Sequence, residues 1–148
     1  MNAHTIEVYR RLRAHEYTAK EALSGAKTLV AWQALEDRGL ATIKAVAEEE
    51  NYFDVYGEPE GYTNGYGRAI TPEQERADLV WQLESRGCWR VFAEVRCPGC
   101  GRSAMLDDAS VGMCAGYQDP TSPYENAYVL DFMAMAVAHF ENNKGTWI

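Results

Sequence analysis

Two cysteines separated by a proline and a glycine have the types and spacing most typical of a chemical site. The segment reads Cys97-Pro98-Gly99-Cys100-Gly101, and a tight turn of this kind points two sulfur atoms at one tetrahedral metal ion. A structural zinc site takes four ligands, commonly from two such turns. The chain has no second Cys-x-x-Cys segment. We therefore predict a hairpin turn with no metal and no cofactor, and keep zinc on Cys97 and Cys100 as the alternative.

The two other cysteines do not complete a site at that turn. If the segment CWRVFAEVR is a strand, Cys88 lies about 30 Å from Cys97, because a strand rises about 3.3 Å per residue. A turn at residues 98–99 places Cys88 opposite Ser110 and brings Cys114 to the same end. The outer cysteines are therefore expected as neighbours, far from the turn. Redox use of the turn is disfavoured because no helix begins at Cys97 to lower a thiol pKa.

Polar residues that follow the turn form a second candidate site. Asp107 and Asp108 precede Ser110, but neighbouring strand residues point to opposite faces, and carboxylates that share acid–base work need a common pocket. We interpret the aspartates as cap or turn residues. The chain shows no Ser/His/Asp, Cys/His or HExxH arrangement and no phosphate-binding loop. An enzyme or small-ligand site is the alternative hypothesis, and its residues would be Asp107, Asp108, Ser110, Tyr117, Glu125 and Asn126.

A run of acidic and aromatic residues is the third candidate. The formal net charge is −8, and residues 48–148 carry seven Lys/Arg against seventeen Asp/Glu. This balance argues against nucleic acid or an anionic membrane as a direct partner. Tyrosine-rich segments make good contact surfaces. Three readings stay open: a solvated acidic loop, a loop whose aromatic rings fold back onto a sheet edge, or a surface for a basic partner. The residues of that surface would be Glu48, Glu49, Glu50, Tyr52, Asp54, Tyr56, Glu58, Glu60 and Tyr62.

Cap and periodicity signals predict the elements that position these residues. Thr18 with Glu21 forms a capping box, and Thr71-Pro72 with Gln74 opens another helix. We predict helices over about 5–14, 19–38, 72–86 and 127–141, strands over 40–47, 88–96 and 102–107, and a long loop over about 48–70 with a turn at Asn64-Gly65.

Two helices have faces that predict their packing. The helix after Thr71 has an inner face of Ala77, Val80, Trp81 and Leu83. The last helix is apolar nearly all round, which is typical of burial on more than one side. The alternative for that helix is a homodimer interface that includes Met133 and Met135.

The order ααβ, loop, αββ, loop, α predicts an α+β fold: one domain over residues 1–148, with a small antiparallel sheet of about three strands covered by helices. A chain of 148 residues is the size of one ordinary domain. The charged N-terminus lacks the apolar stretch of a signal peptide, and no apolar run approaches the roughly 18 residues of a membrane span. We expect a cytoplasmic protein without membrane contact, with reduced cysteines.

Three segments of the chain resemble a set of small phage and prophage proteins. They are LEDRGLATIKAVAEEENYFDVYGE, ESRGCWRVFAEVRCPGCG and LDDASVGMCAGYQDPTSPYENAYVLDFMAMAVAHF. The third carries most of the similarity, and its matching residues are Asp108, Ser110, Gly112, Gly116, Tyr117, Pro123, Glu125, Asn126, Tyr128 and Asp131. A tryptophan that is common in that set after the Asp/Ser turn is absent here.

The resemblance implies a small accessory protein of a mobile element, at work in a bacterial cytoplasm. Small acidic proteins of that kind often inhibit bacterial defence complexes, including CRISPR surveillance complexes and restriction enzymes. The hypothesis is a non-enzymatic inhibitor whose acidic, tyrosine-bearing surface covers a basic nucleic-acid-binding site. Electrostatic complementarity and a few aromatic anchors are enough for binding of this type.

Overall fold

The predicted order of elements is confirmed, with short additions in the long loop. A computed structural model describes residues 2–143. Its helices are α1 (Ala3–Ala14), α2 (Ala19–Asp37), α3 (Tyr52–Tyr56), α4 (Pro72–Arg86) and α5 (Ala127–Asn142). Its strands are β1 (Ala41–Ala47), β2 (Tyr62–Thr63), β3 (Ala69–Ile70), β4 (Cys88–Arg96) and β5 (Ser103–Ala115). The fold is α+β.

Both predicted capping boxes form. Thr18 Oγ1 accepts a hydrogen bond from the Glu21 backbone N–H at 3.1 Å, and Glu21 Oε1 accepts one from the Thr18 N–H at 3.0 Å. Thr71 and Gln74 make the same reciprocal pair at the start of α4, with Pro72 at the first position of the helix. These bonds satisfy N–H groups that a helix leaves without an internal partner, so they fix where each helix begins.

The main sheet has three antiparallel strands in the order β1-β4-β5. Val91, Ala93 and Val95 alternate along β4 and are buried, and they pack in one cluster with residues of α2 and α5. The opposite face of the sheet is more polar, with a salt bridge of 3.0 Å between Lys44 and Glu94. Helices therefore cover one face of the sheet, as expected for a two-layer α+β domain.

Helix α5 is buried on two sides. Val129, Phe132, Met133 and Ala136 belong to the cluster against the sheet, whereas Leu130 belongs to a second cluster with residues of α1 and α2. The apolar faces of α5 are thus used inside one chain. Burial on more than one side is confirmed, and Met133 is not available for the homodimer interface considered from the sequence.

Strand β5 is longer than predicted, because it pairs with β4 across two irregularities. Ala93 lies opposite residues 106–109, and Arg90 lies opposite residues 112–113. Asp108 and Met113 have φ angles of 65° and 58°, in the left-handed region that non-glycine residues rarely adopt. Extra residues of this kind bend a strand without ending it.

The irregularities also change the pairing predicted for the outer cysteines. Cys88 pairs with Ala115 rather than Ser110, and Trp89 pairs with Cys114. The expectation that Cys88 and Cys114 are neighbours far from the turn is confirmed. The aspartates at 107 and 108 lie within the strand, so their interpretation as cap or turn residues is wrong.

Residues 49–86, which we call the acidic arm, leave the sheet after β1 and return to it at β4. No residue between 42 and 90 is fully buried, so the arm has no core of its own. Val80 and Leu83 are half-buried, but Ala77 is exposed and the Trp81 side chain is 56% exposed. The prediction that Ala77 and Trp81 face inward is therefore wrong.

Asn126 offers a test of this packing. It is fully buried, its Oδ1 accepts from the Tyr128 N–H at 3.2 Å, and its Nδ2 donates to the Pro120 carbonyl at 2.9 Å. Asn126→Ala removes the α5 cap and takes its donor from the partly buried Pro120 carbonyl, so we expect a loss of about 2–3 kcal/mol in the free energy of unfolding.

Urea denaturation followed by circular dichroism measures that loss. Asn51→Ala is the matched control, because Asn51 caps α3 in the same way but is exposed. The control is expected to lose less than about 1 kcal/mol. Equal losses for the two variants would contradict a structural role that depends on the burial of Asn126.

Candidate functional site

The acidic arm concentrates the negative charge of the protein. It carries nine Asp/Glu against three Lys/Arg, a net charge of −6 out of −8 for the chain. Glu49, Glu50, Asp54 and Glu60 are exposed. Within a few ångströms of such a group of carboxylates, a basic partner is attracted and an acidic one is repelled.

The loop part of the arm is fastened to the first turns of α4. Glu75 Oε2 accepts from the Gly61 N–H at 2.9 Å, and Arg76 Nε donates to Glu58 Oε2 at 2.9 Å. The Arg76 guanidinium also lies over the Phe53 ring, 4.6 Å from its centroid. The predicted loop is therefore an ordered layer on α4, although both partners of the Arg76–Glu58 pair are exposed and the pair adds little stability.

Large aromatic side chains of the arm remain open to solvent. The exposed fraction is 62% for Tyr56, 55% for Tyr62 and 97% for Tyr66. Tyr52 is less accessible: its ring lies 4.9 Å from that of Tyr56, and burial raises its pKa. Most of the tyrosines therefore do not plug the sheet edge.

Two exposed aromatic residues were not in the predicted surface. Tyr66 lies close to the other tyrosines of the arm in the sequence but is not in the surface that the sequence predicts for a basic partner. Trp81 was assigned to the core because its position fits an apolar helix face. The signal that separates Trp81 from the core is the polar composition of α4, in which six of fifteen residues are charged.

Glu48 does not belong to the exposed surface. Its side chain is only 7% exposed, and its carboxylate lies 3.8 Å from Arg90 Nη2. The same Oε2 accepts a hydrogen bond from the Met113 N–H at 3.1 Å, and the Glu48 N–H donates to the Cys88 carbonyl at 2.9 Å. Glu48 therefore ties together β1, β4 and the irregular part of β5, at the point where the arm begins.

Replacement of Glu48 tests this assignment. Glu48→Ala leaves the partly buried Met113 N–H without its acceptor and Arg90 without its carboxylate partner, so we expect a loss of about 1–3 kcal/mol in the free energy of unfolding. Glu49→Ala is the control, because Glu49 is the exposed neighbour and surface changes usually stay within about 0.5 kcal/mol. Denaturation curves for the two variants give both values. If Glu48→Ala is as stable as the control, the carboxylate does not hold the strands.

The structure does not bring together the six residues of the alternative ligand site. Asp107 acts electrostatically on His139, near the end of α5: burial lowers the pKa of His139, and Asp107 opposes that change. Asn126 lies at the start of the same helix, about 20 Å away at 1.5 Å per residue. Ser110 faces Arg90, whose Nη1 donates to its hydroxyl at 3.4 Å.

Tyr117 and Glu125 of that set share a cavity. It is an open hollow of about 480 Å³ that also receives side chains from the end of α1 and from α4, namely His15, Glu16 and Arg86. There, Arg86 Nη1 donates a hydrogen bond to the Gly116 carbonyl at 2.7 Å. Glu125 accepts from the Asp119 N–H at 2.9 Å, and burial raises the pKa of Tyr117. These contacts fix the loop between β5 and α5.

The four cysteines fall into two pairs with different chemistry. Cys97 Sγ accepts from the Cys100 N–H at 3.4 Å, and this hydrogen bond lowers the pKa of Cys97. Burial raises the pKa of Cys88 and Cys114, and nearby Glu48 adds to the increase. Because the thiolate is the reactive form, the turn holds the more nucleophilic sulfur.

This difference predicts the order of thiol modification. At pH 7.5 and under native conditions, iodoacetamide is expected to label Cys97 faster than Cys114, by at least about tenfold, because Cys97 is both more ionised and more accessible. Peptide mass spectrometry over time gives the separate rates, and labelling in urea is the control that removes the difference. Equal native rates would contradict the structure of the turn.

Within residues 2–143, no group of three or more His, Cys, Asp or Glu side chains is arranged to hold a metal ion. Among the same residues, no helix has the length and apolar character needed to cross a membrane. Comparison with protein-family models, curated proteins and solved structures found no match.

Proposed function

We propose that the protein is a binding protein that uses the acidic arm to cover a basic surface of a partner protein. The observation that carries the proposal is that the arm lacks buried residues yet exposes Tyr56, Tyr62, Tyr66 and Trp81. Tyr and Trp are enriched at protein–protein interfaces relative to the rest of the surface, so four exposed ones in one segment of the chain favour an interaction surface.

The chemistry of the arm favours a basic partner. Tyrosine and tryptophan supply large rigid contacts and are frequent anchors of interfaces. The exposed carboxylates Glu49, Glu50, Asp54 and Glu60 lie in the same segment of the chain and would pair with Lys or Arg of the partner. Such charges act mainly on the association rate and on the choice of partner, whereas the aromatic anchors slow dissociation.

We propose further that the basic surface is the nucleic-acid-binding site of a bacterial defence complex, which is inhibited by occlusion. The support for this step is the charge of the arm, since nucleic-acid-binding sites are among the most basic surfaces of proteins, together with the resemblance of three segments to phage and prophage proteins. The binding set differs from the sequence-based set: Glu48 leaves it, and Tyr66 and Trp81 enter it.

The test is inhibition of purified CRISPR surveillance complexes and restriction enzymes. Inhibition of one of them is expected at about one copy of the protein per complex, and to weaken as salt is raised from 50 to 300 mM. Glu49→Lys, Glu50→Lys and Tyr56→Ala together should weaken it at least about 100-fold, as expected when an aromatic anchor and two charges are lost.

A matched triple variant controls for charge and for loss of an exposed tyrosine. Glu7→Lys, Glu141→Lys and Tyr128→Ala make the same substitutions at exposed positions outside the arm, and this variant should inhibit as the native protein does. Equal weakening by both triple variants would show that net charge alone acts. Inhibition far below one copy per complex, with a chemically altered target, would contradict occlusion.

A further inference from the structure

The tip of the β4–β5 hairpin has the backbone geometry of a metal-binding turn. The Cys97 N–H donates to the Arg102 carbonyl at 2.8 Å, and the Gly101 N–H donates to the Cys97 carbonyl at 2.9 Å. Gly101 has a φ of 74°, a value that favours glycine. Together with the N–H of Cys100 on Cys97 Sγ, these bonds fix Cys97 beside Cys100, which is exposed.

One chain supplies half of a zinc site at this tip. Structural zinc is bound almost always by four ligands in a tetrahedron, and no third His, Cys, Asp or Glu of residues 2–143 joins the two cysteines. Cys88 and Cys114 lie beside each other at the opposite end of the hairpin, about 30 Å away along the strand. The two missing ligands must come from outside the chain.

We propose that two copies of the protein meet at their hairpin tips and share one Zn²⁺, bound by Cys97 and Cys100 of each copy. A second copy supplies two identical thiolates, and a two-fold axis through the metal makes the four ligands equivalent. In the binding step, four thiol groups lose their protons to solvent and four Zn–S bonds form, with no change in oxidation state.

The charges around the tip match such a site. Zn²⁺ with four thiolates carries a net charge of −2. Arg96 and Arg102 flank the two cysteines in each copy, and no Asp or Glu lies between Glu94 and Asp107. The Arg96 guanidinium folds over the turn, 3.4 Å from where a Cβ on Gly101 would lie.

The tip also lacks the acidic residues through which two copies would repel each other, since residues 95–106 contain no Asp or Glu. Each chain has a net charge of −8, most of it on the acidic arm. Glu94, the nearest acidic residue before the turn, is paired with Lys44 at 3.0 Å. Four arginines at the contact of two copies would offset the charge of the zinc–thiolate group.

The zinc site does not depend on the proposed function, and it lies apart from the acidic arm. The acidic arm begins beside Cys88, because the Glu48 N–H donates to the Cys88 carbonyl. It therefore leaves the sheet at the end of β4 that is farthest from Cys97. A zinc-linked dimer would hold two arms at its outer ends, free to bind two partner surfaces.

The experiment is zinc titration of the purified, reduced full-length protein, followed by native mass spectrometry and light scattering. Zinc is expected to convert the 16.6 kDa chain into a dimer of twice that mass with one zinc per two chains, and a chelator is expected to reverse the change. Cobalt(II) in place of zinc is expected to show sulfur-to-metal charge-transfer absorption and the intense visible bands of tetrahedral coordination.

Three cysteine variants separate the site from other effects. Cys97→Ser and Cys100→Ser should each abolish the zinc-dependent dimer, with circular dichroism melts to confirm that both fold. Cys88 lies at the other end of the hairpin, so the Cys88→Ser variant should dimerise with zinc as the native protein does. One zinc per monomer, a dimer that forms equally without zinc, or no zinc bound at micromolar concentration would each overturn the proposal.

Discussion

Burial of α5 is the constraint on which the rest of the fold depends. The helix is apolar on several sides, so a single layer of structure cannot cover it. The sheet covers Val129, Phe132 and Met133, and the pair α1–α2 covers Leu130. Each large side chain that is fully buried contributes about 1.5–3 kcal/mol. Gly25 of α2 allows the second contact, since a Cβ there would lie 2.9 Å from Leu130 Cδ2.

Because α5 packs between the sheet and the pair α1–α2, the segment between β1 and β4 contributes no buried residue to the core. The arm has apolar side chains, but the apolar face of the sheet, which carries Val91, Ala93 and Val95, is already covered by α2 and α5. Its position is instead set by polar contacts: Glu48 at the start, Glu75 and Arg76 in the middle, and Arg86 on the Gly116 carbonyl at the end. A segment held in this way keeps a defined shape while its aromatic residues stay exposed.

Local signals in the sequence predicted much of this fold because they act within a few residues. The capping boxes at Thr18 and Thr71 and the turn at residues 97–101 depend only on neighbours in the chain. The wrong predictions concern residues whose conformation or burial depends on contacts between distant parts of the chain. The left-handed conformations of Asp108 and Met113 follow from the pairing of β5 with β4. Glu48 looked like part of an exposed acidic run, and its burial depends on residues 42 and 65 positions away.

The error at Trp81 has a similar origin and bears on function. A tryptophan on an apolar helix face usually packs in the core, but no other layer of the structure covers this face of α4. Sequence patterns predict which face is apolar, whereas the number of layers that can cover it is a property of the whole fold. The aromatic residues of the arm are exposed for the same reason, because no layer covers them. The candidate binding site is therefore an open surface.

The buried polar side chains of the described chain are engaged in structure: the Thr5 hydroxyl donates to Asn2, Asn126 caps α5, and Glu48 joins three strands. The groups with unused binding capacity are exposed, and they lie at two ends of β4. One end offers carboxylates and aromatic rings, which suit a large basic surface. The other offers two thiols between two arginines, which suit a thiophilic cation. About 30 Å of strand separates Cys88, beside which the arm begins, from Cys97, which is well beyond the screening length of about 8 Å at physiological ionic strength.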